Sequence, residues 1–332
     1  MYMFWENVNV FITGADGFVG SWITRELVEK GANVTILVRD LVPRSSLKLM
    51  PEVYSNLNSI VEGSITDYKL VERIFNEYEV EACFHLAAQA IVGAANRSPI
   101  STFESNIMGT WNVLEAARTS KLLEGIVIAS SDKAYGDQEK LPYSEDMCLK
   151  GVHPYDVSKV CADLLAQSYH ATYGLPLGIT RCANIYGGGD LNFSRIIPGT
   201  IRSIYLDQDP IIRSDGTLVR DYIYVLDPVN GYITLGEMLN KRSIKGQAFN
   251  FGSNQPITVL ELVEKLIKLY GKSHLKPNII GKGKAFGEIE KQYLSSIKAK
   301  EELGWTPEHD LNTGLKKTIK WYEEYFNLNL QI

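Results

Sequence analysis

Three glycines in Thr13-Gly14-Ala15-Asp16-Gly17-Phe18-Val19-Gly20 constrain the fold more than any other feature of this 332-residue chain. Before them, Val8-Asn9-Val10-Phe11-Ile12 reads as a buried strand. After them, Val19, Ile23 and Leu27 recur every fourth position and Gly31 closes the stretch, which is the pattern of a helix with a glycine stop. Glycines three apart at a strand-to-helix turn let the backbone turn tightly and approach a pyrophosphate at the positive helix end. A plain glycine-rich turn has the same composition. The strand before and the helix after are the context a dinucleotide-binding turn requires, so Gly14, Gly17, Phe18, Val19 and Gly20 are cofactor candidates.

Further strand-like runs follow at Val34–Val38, Ser59–Glu62, Ala82–Leu86, Gly125–Ala129 and Leu177–Thr180, separated by helical stretches. Continuous apolar strands alternating with helices predict an α/β fold with a doubly wound parallel Rossmann sheet. Past about residue 185 the rhythm gives way to Gly-, Asp- and Pro-rich loops, short strands and two helices. One of these helices opens with Thr258 and Glu261, a capping box. This part predicts a smaller C-terminal substrate-binding lobe over the strand ends. The division is residues 1–183 for the dinucleotide domain, completed by strands returning from the later chain, and 184–332 for the lobe.

A net charge of −5 without basic runs argues against nucleic acid as a partner. No apolar stretch approaches ~20 residues, so no membrane span is expected. The opening residues Met1–Glu6 lack the pattern of a signal peptide. Cys83, Cys148, Cys161 and Cys182 are scattered without metal-ligand spacing, and no metal site is expected. These readings together predict a soluble cytoplasmic protein.

The chemistry is concentrated in Ser131-Asp132-Lys133-Ala134-Tyr135-Gly136 and, further on, Tyr155-Asp156-Val157-Ser158-Lys159. A tyrosine four residues ahead of a lysine shares a helix face with it. An ammonium there is expected to lower the phenol from its usual ~10 and make it a usable base. The pair alone is a common coincidence; its weight comes from the preceding motifs.

Taken in order, the glycine turn, His85–Gln89, Asn106–Thr110, SSDKAYG, Tyr155 with Lys159, Asn184–Gly187, Arg220–Asp227 and Glu302–Pro307 resemble the extended short-chain dehydrogenase/reductases that act on nucleotide-diphosphate sugars. Within them, Ser131-Asp132-Lys133 is most similar to the 4,6-dehydratases, the CDP-glucose branch above all; the 4-epimerases usually carry small residues at the last two positions. The resemblance implies oxidation of a hexose at carbon 4, loss of water across carbons 5 and 6, and hydride return to carbon 6. Tyr155 would be the base at the 4-hydroxyl, Ser131 its hydrogen-bond partner, and Lys159 a hold on the nicotinamide ribose. Lys133 is assigned as the base for the carbon 5 proton and Asp132 as the acid for the leaving water. A swapped pair, or a charged Lys133 stabilising the enolate, stays open.

By the same resemblance, Leu86, Ala87, Ala88, Ser64 and Ile65 would touch the cofactor, Ser64 standing where relatives often place an adenine-binding Asp. Asn184, Arg195, Arg213 and Arg220 would hold the sugar nucleotide, with Gln89 and Asn106 also on the substrate side. Arginines suit this because their planar fork bonds two phosphate oxygens. At the end of the second strand, Arg39 favours the 2′-phosphate of NADP and Asp40 the free ribose of NAD; Arg44 and its neighbours follow, and the balance leans to NADP. His85 reads as structural, and Trp305 and Trp321 as core anchors. The helices near Asn106 and Tyr155 have apolar stripes, Val113 with Ala117 and Val160 with Leu164, that predict a homodimer or simple burial against the sheet. Two rival functions are a 4-epimerase, which has no elimination to catalyse, and a non-catalytic dinucleotide sensor.

Overall fold

A computed structural model describes residues 4–40, 45–282 and 289–329 of the chain. Strands β1 (Asn9–Thr13), β2 (Asn33–Val38), β3 (Ser59–Glu62), β4 (Ala82–His85), β5 (Gly125–Ala129) and β6 (Leu177–Cys182) form one sheet with a late strand, Ala248–Phe251. The spatial order is 248–251, β6, β5, β4, β1, β2, β3, and every pairing is parallel.

Because successive side chains point to opposite faces, each strand feeds two cores. Phe11, Ile126 and Ile128 join one, beneath the helices Tyr68–Glu77, Gly109–Thr119 and Pro154–Tyr173. Val10, Ile12 and Val127 join the other, with Ile23 and Leu27 of α1 (Phe18–Glu29) and Val229 and Ile233 of the helix Leu226–Met238. Strand order reverses between β1 and β4, and the carboxyl ends of such strands flank the crevice in which α/β proteins hold ligands.

Among the described residues, the later chain holds four α-helices, Ile196–Tyr205, Leu226–Met238, Val259–Tyr270 and Leu311–Asn329, where the sequence suggested two helices. Pro198 with Gly199, and Pro228 with Gly231, lie inside the first two of these helices and mimic loop composition. The capping box of Thr258 and Glu261 is formed, each side chain bonding the other's backbone amide. Short strands at Val219–Arg220 and Lys291–Gln292 pair in parallel and reach toward the end of β5. Among the described residues, no helix is long and apolar enough to cross a membrane.

Candidate active site

The turn after β1 is built as its glycines require. Gly14 has φ +72°, and a side chain there would stand 2.7 Å from the Ala87 amide nitrogen. A Cβ at Gly20 would stand 2.0 Å from the Gly14 carbonyl oxygen, so α1 approaches β1 this closely only with glycine. α1 begins at Phe18 with no side-chain cap and no acidic residue in its first turn. Its free N–H groups and dipole are therefore left for an anion.

The adjoining wall, Leu86 to Ala88, is set by a hydrogen-bond chain. Thr13 Oγ1 accepts from the amides of Leu86 and Ala87, both at 3.1 Å, so its single proton goes to His85 Nδ1 at 2.7 Å. His85 then carries its proton on Nε2 and donates to Thr110 Oγ1 at 3.0 Å, which donates on to the Asn106 carbonyl at 2.6 Å. Burial, and next the charge of Lys159, push His85 down to about 3, so it stays neutral and structural.

One cleft of ≈ 920 Å³ runs from this turn across the strand ends. Its end at the glycine turn is lined by Gly14, Gly17, Phe18, Val19, Gly20, Arg39, Asp40, Ser64, Ile65, Leu86, Ala87 and Ala88. Arg39 donates through Nε to Asp40 Oδ2 at 2.6 Å in an exposed pair, and Asp16 joins them in the lining. Burial raises the Asp16 carboxyl. Arg44 lies outside the described residues.

At the centre, β5 ends in Ser130-Ser131 and a single 3₁₀ turn, Asp132–Tyr135, begins with Ser131 Oγ accepting from the Lys133 amide. Ser131, Asp132, Lys133, Tyr155 and Lys159 all face the cleft. Ser131 Oγ donates to Asp132 Oδ1 at 3.2 Å. Lys133 Nζ stands 3.6 Å from Asp132 Oδ2, which is buried and accepts no hydrogen bond among the described residues. Burial lowers the Lys133 ammonium, and the neighbouring Arg220 adds to this, while Asp132 and Asp156 oppose it.

Tyr155 departs from the sequence expectation. Burial pushes its phenol up to about 12, and the influences that lower it are a hydrogen bond with Ser131 and the charge of Arg195, not Lys159. The reason is that Lys159 Nζ donates to the Ala129 carbonyl at 2.8 Å. Burial lowers Lys159 to about 8, against the opposing charge of Asp163.

At the far end, Asn184, Arg195, Arg213 and Arg220 line the cleft. Arg195 Nη1 is braced by Asp190 Oδ2 at 3.0 Å, and Arg220 Nη1 donates to the Val219 carbonyl at 2.9 Å. Gln89 and Asn106 are not among the lining residues. The buried Asn106 carboxamide accepts from the Gln89 amide at 2.7 Å and donates to Ser158 Oγ at 2.9 Å, which makes it an internal brace. Two residues that sequence reasoning missed stand at the centre. Asp156, beside Tyr155, is buried and faces Lys133. Gln292, fully buried, accepts from Lys133 Nζ and donates to the Asp132 carbonyl at 3.1 Å.

The predicted dimer stripes divide. Val113 and Ala117 are buried in the core under the sheet, whereas Leu164 is 52% exposed, with Trp111 and Ile100 of the same helical layer exposed too.

The family model described as GDP-mannose 4,6 dehydratase matches residues 11–318. A CDP-glucose 4,6-dehydratase of Salmonella typhimurium is 31% identical over 340 residues, covering 97% of this chain and 92% of that protein. UDP-glucuronate 4-epimerase 2 of Arabidopsis thaliana is 32% identical over 345 residues, covering 97% and 77%. Among solved structures, the dTDP-glucose 4,6-dehydratase DesIV of Streptomyces venezuelae, with NAD and TYD bound, superposes with a TM-score of 0.87 at 26% identity, covering 96% of this chain and 98% of that one. A UDP-glucose 4-epimerase of Thermotoga maritima with UDP-glucose gives 0.85 at 29%, covering 96% and 100%.

Proposed function

The chain belongs to the GDP-mannose 4,6 dehydratase family of the extended short-chain dehydrogenase/reductases, and from that membership we propose that it is a nucleotide-diphosphate-sugar 4,6-dehydratase acting on CDP-glucose or a related hexose. Dehydratases and 4-epimerases are relatives at nearly equal identity, so the choice between them rests on the site itself. The observation that carries it is the Asp132–Lys133 pair at the end of β5. Epimerisation needs one base at the 4-hydroxyl. Elimination needs an acid and a base besides, and this pair provides both kinds of group.

A bound nicotinamide dinucleotide would supply the hydride acceptor and donor. The turn Gly14–Gly20, the α1 amides and the Leu86–Ala88 wall would hold it. The remaining work belongs to side chains of the cleft. Tyr155 takes the proton of the sugar's 4-hydroxyl, with Ser131 and Arg195 favouring its phenolate. A ketone at carbon 4 then makes the carbon 5 proton acidic. Lys133, its ammonium disfavoured by burial, takes that proton as an amine. The electron pair of the C5–H bond becomes the C5=C6 π bond while Asp132 gives its proton to the departing 6-hydroxyl. Arg213 and Arg220 would hold the diphosphate.

We assign the dinucleotide as NAD. Arg39, the residue that favoured NADP in the sequence, is paired with Asp40, and Asp16 lines the same end. Two carboxylates against one guanidinium oppose a 2′-phosphate dianion. We also propose a homodimer through the face bearing Ile100, Trp111 and Leu164, each exposed and apolar.

The test is incubation of the protein with CDP-, UDP-, GDP- and dTDP-hexoses. A ketone product lighter by one water supports the dehydratase; an isomer of unchanged mass means a 4-epimerase. Lys133→Ala should keep sugar-dependent cofactor reduction and lose elimination by about 10²–10⁴-fold, the usual weight of general acid–base catalysis. Full activity in that variant would end the role given to Lys133.

A further inference from the structure

We propose that Gln292 is a positioning residue that keeps the Asp132–Lys133 ion pair from closing into a direct hydrogen bond, so that acid and base act as separate groups. The inference rests on the dehydratase reading. A carboxylate and an ammonium on adjacent residues of a tight, water-poor turn attract strongly. Once hydrogen-bonded they would hold each other charged, and neither could then perform its proton transfer.

The structure has a different arrangement. Lys133 Nζ donates to Gln292 Oε1 and remains 3.6 Å from Asp132 Oδ2, beyond hydrogen-bond length. That oxygen is left buried without a donor among the described residues. Gln292 is gripped in turn. It is fully buried, its Nε2 donates to the Asp132 carbonyl at 3.1 Å, and its own carbonyl accepts from the Asp221 amide at 3.2 Å. Its two-residue strand pairs in parallel with Val219–Arg220. One carboxamide thus has an end on each member of the pair. An amide fits this task because it accepts from an ammonium without adding charge. The other charges facing Lys133 are Asp156 from the helix Pro154–Tyr173 and Arg220 from the neighbouring strand. Asp221 and Tyr143 face Asp132.

The test compares the holoenzyme with Gln292→Met, which keeps the length and removes the acceptor, and with Gln292→Glu, which keeps the shape and adds charge. The Glu variant also serves if the Met variant does not fold. Three quantities are read: sugar-dependent cofactor reduction at ~340 nm, water loss by mass, and the pH titration of Lys133 by reductive methylation without sugar. In Gln292→Met, reduction should stay within about twofold while water loss slows about 10²-fold, the usual effect of misplacing a reacting group. The Lys133 titration should move up by about one pH unit or more in both variants, since each leaves the ammonium closer to a carboxylate. An unchanged titration, or reduction and elimination falling together, overturns the proposal. If the unmodified holoenzyme dehydrates no sugar, the dehydratase reading fails, and the Lys133 titration still decides whether Gln292 holds the pair apart.

Discussion

Replacing Asp163 with Asn tests how the helix Pro154–Tyr173 is anchored. Asp163 is fully buried and takes two charge-assisted bonds from Arg181, Nε to Oδ2 at 2.8 Å and Nη2 to Oδ1 at 2.9 Å. Arg181, 3% exposed, also donates to Tyr135 Oη at 2.9 Å, joining β6 to the turn that carries Asp132 and Lys133. Removing one partner of a buried pair leaves the other charge unpaired and costs about 3–5 kcal/mol. Asn keeps the shape and one acceptor, so about 3 kcal/mol is expected. With an unfolding entropy of ~2.1 cal/mol/K per residue, a chain of this length has ~0.7 kcal/mol/K, and Tm should fall by about 4 °C. Differential scanning calorimetry measures this. The double variant Asp163→Leu with Arg181→Met should recover most of the loss, because an apolar pair of similar volume leaves no stranded charge. A Tm drop below about 1 °C in Asp163→Asn, or a double variant no better than the single, would refute the reasoning. Asp163 is also the leading charge that supports the Lys159 ammonium, so Lys159 in Asp163→Asn should titrate below its value of about 8.

Calorimetric titration should give tighter binding of NAD than of NADP, and Arg39→Ala should change NAD affinity by less than about threefold because the side chain is exposed and already paired; a preference for NADP would return Arg39 to the role read from the sequence. Analytical ultracentrifugation should find a dimer that Trp111→Glu or Leu164→Glu dissociates, each placing a charge on the exposed apolar face; monomers in the unmodified protein, or dimers surviving both changes, would rule that face out.

The sheet was legible because β1, β2 and β5 are largely apolar runs, and burial on both faces leaves such a strand little other choice of composition. The glycine turn after β1 was legible for a related reason: the close approaches at Gly14 and Gly20 admit one residue type. Spacing failed where a partner is a backbone atom or comes from far along the chain. Four-residue separation puts Tyr155 and Lys159 on one helix face, yet no pattern announces that the lysine donates to the Ala129 carbonyl. Gln292 belongs to a two-residue strand 159 positions from Lys133, too short to carry any periodicity. The internal bonds of Asn106 were equally illegible, since a polar residue in a family motif does not announce that its amide is engaged by Gln89 and Ser158.

The seventh strand of the main sheet, Ala248–Phe251, is made more than sixty residues after β6, which it covers. During synthesis, β6 therefore emerges from the ribosome with a bare row of amides and carbonyls, and it stays so until the intervening lobe has been translated. A cut at residue 183 would not release a finished folding unit, because the first part of the chain borrows the last strand of its sheet from the second.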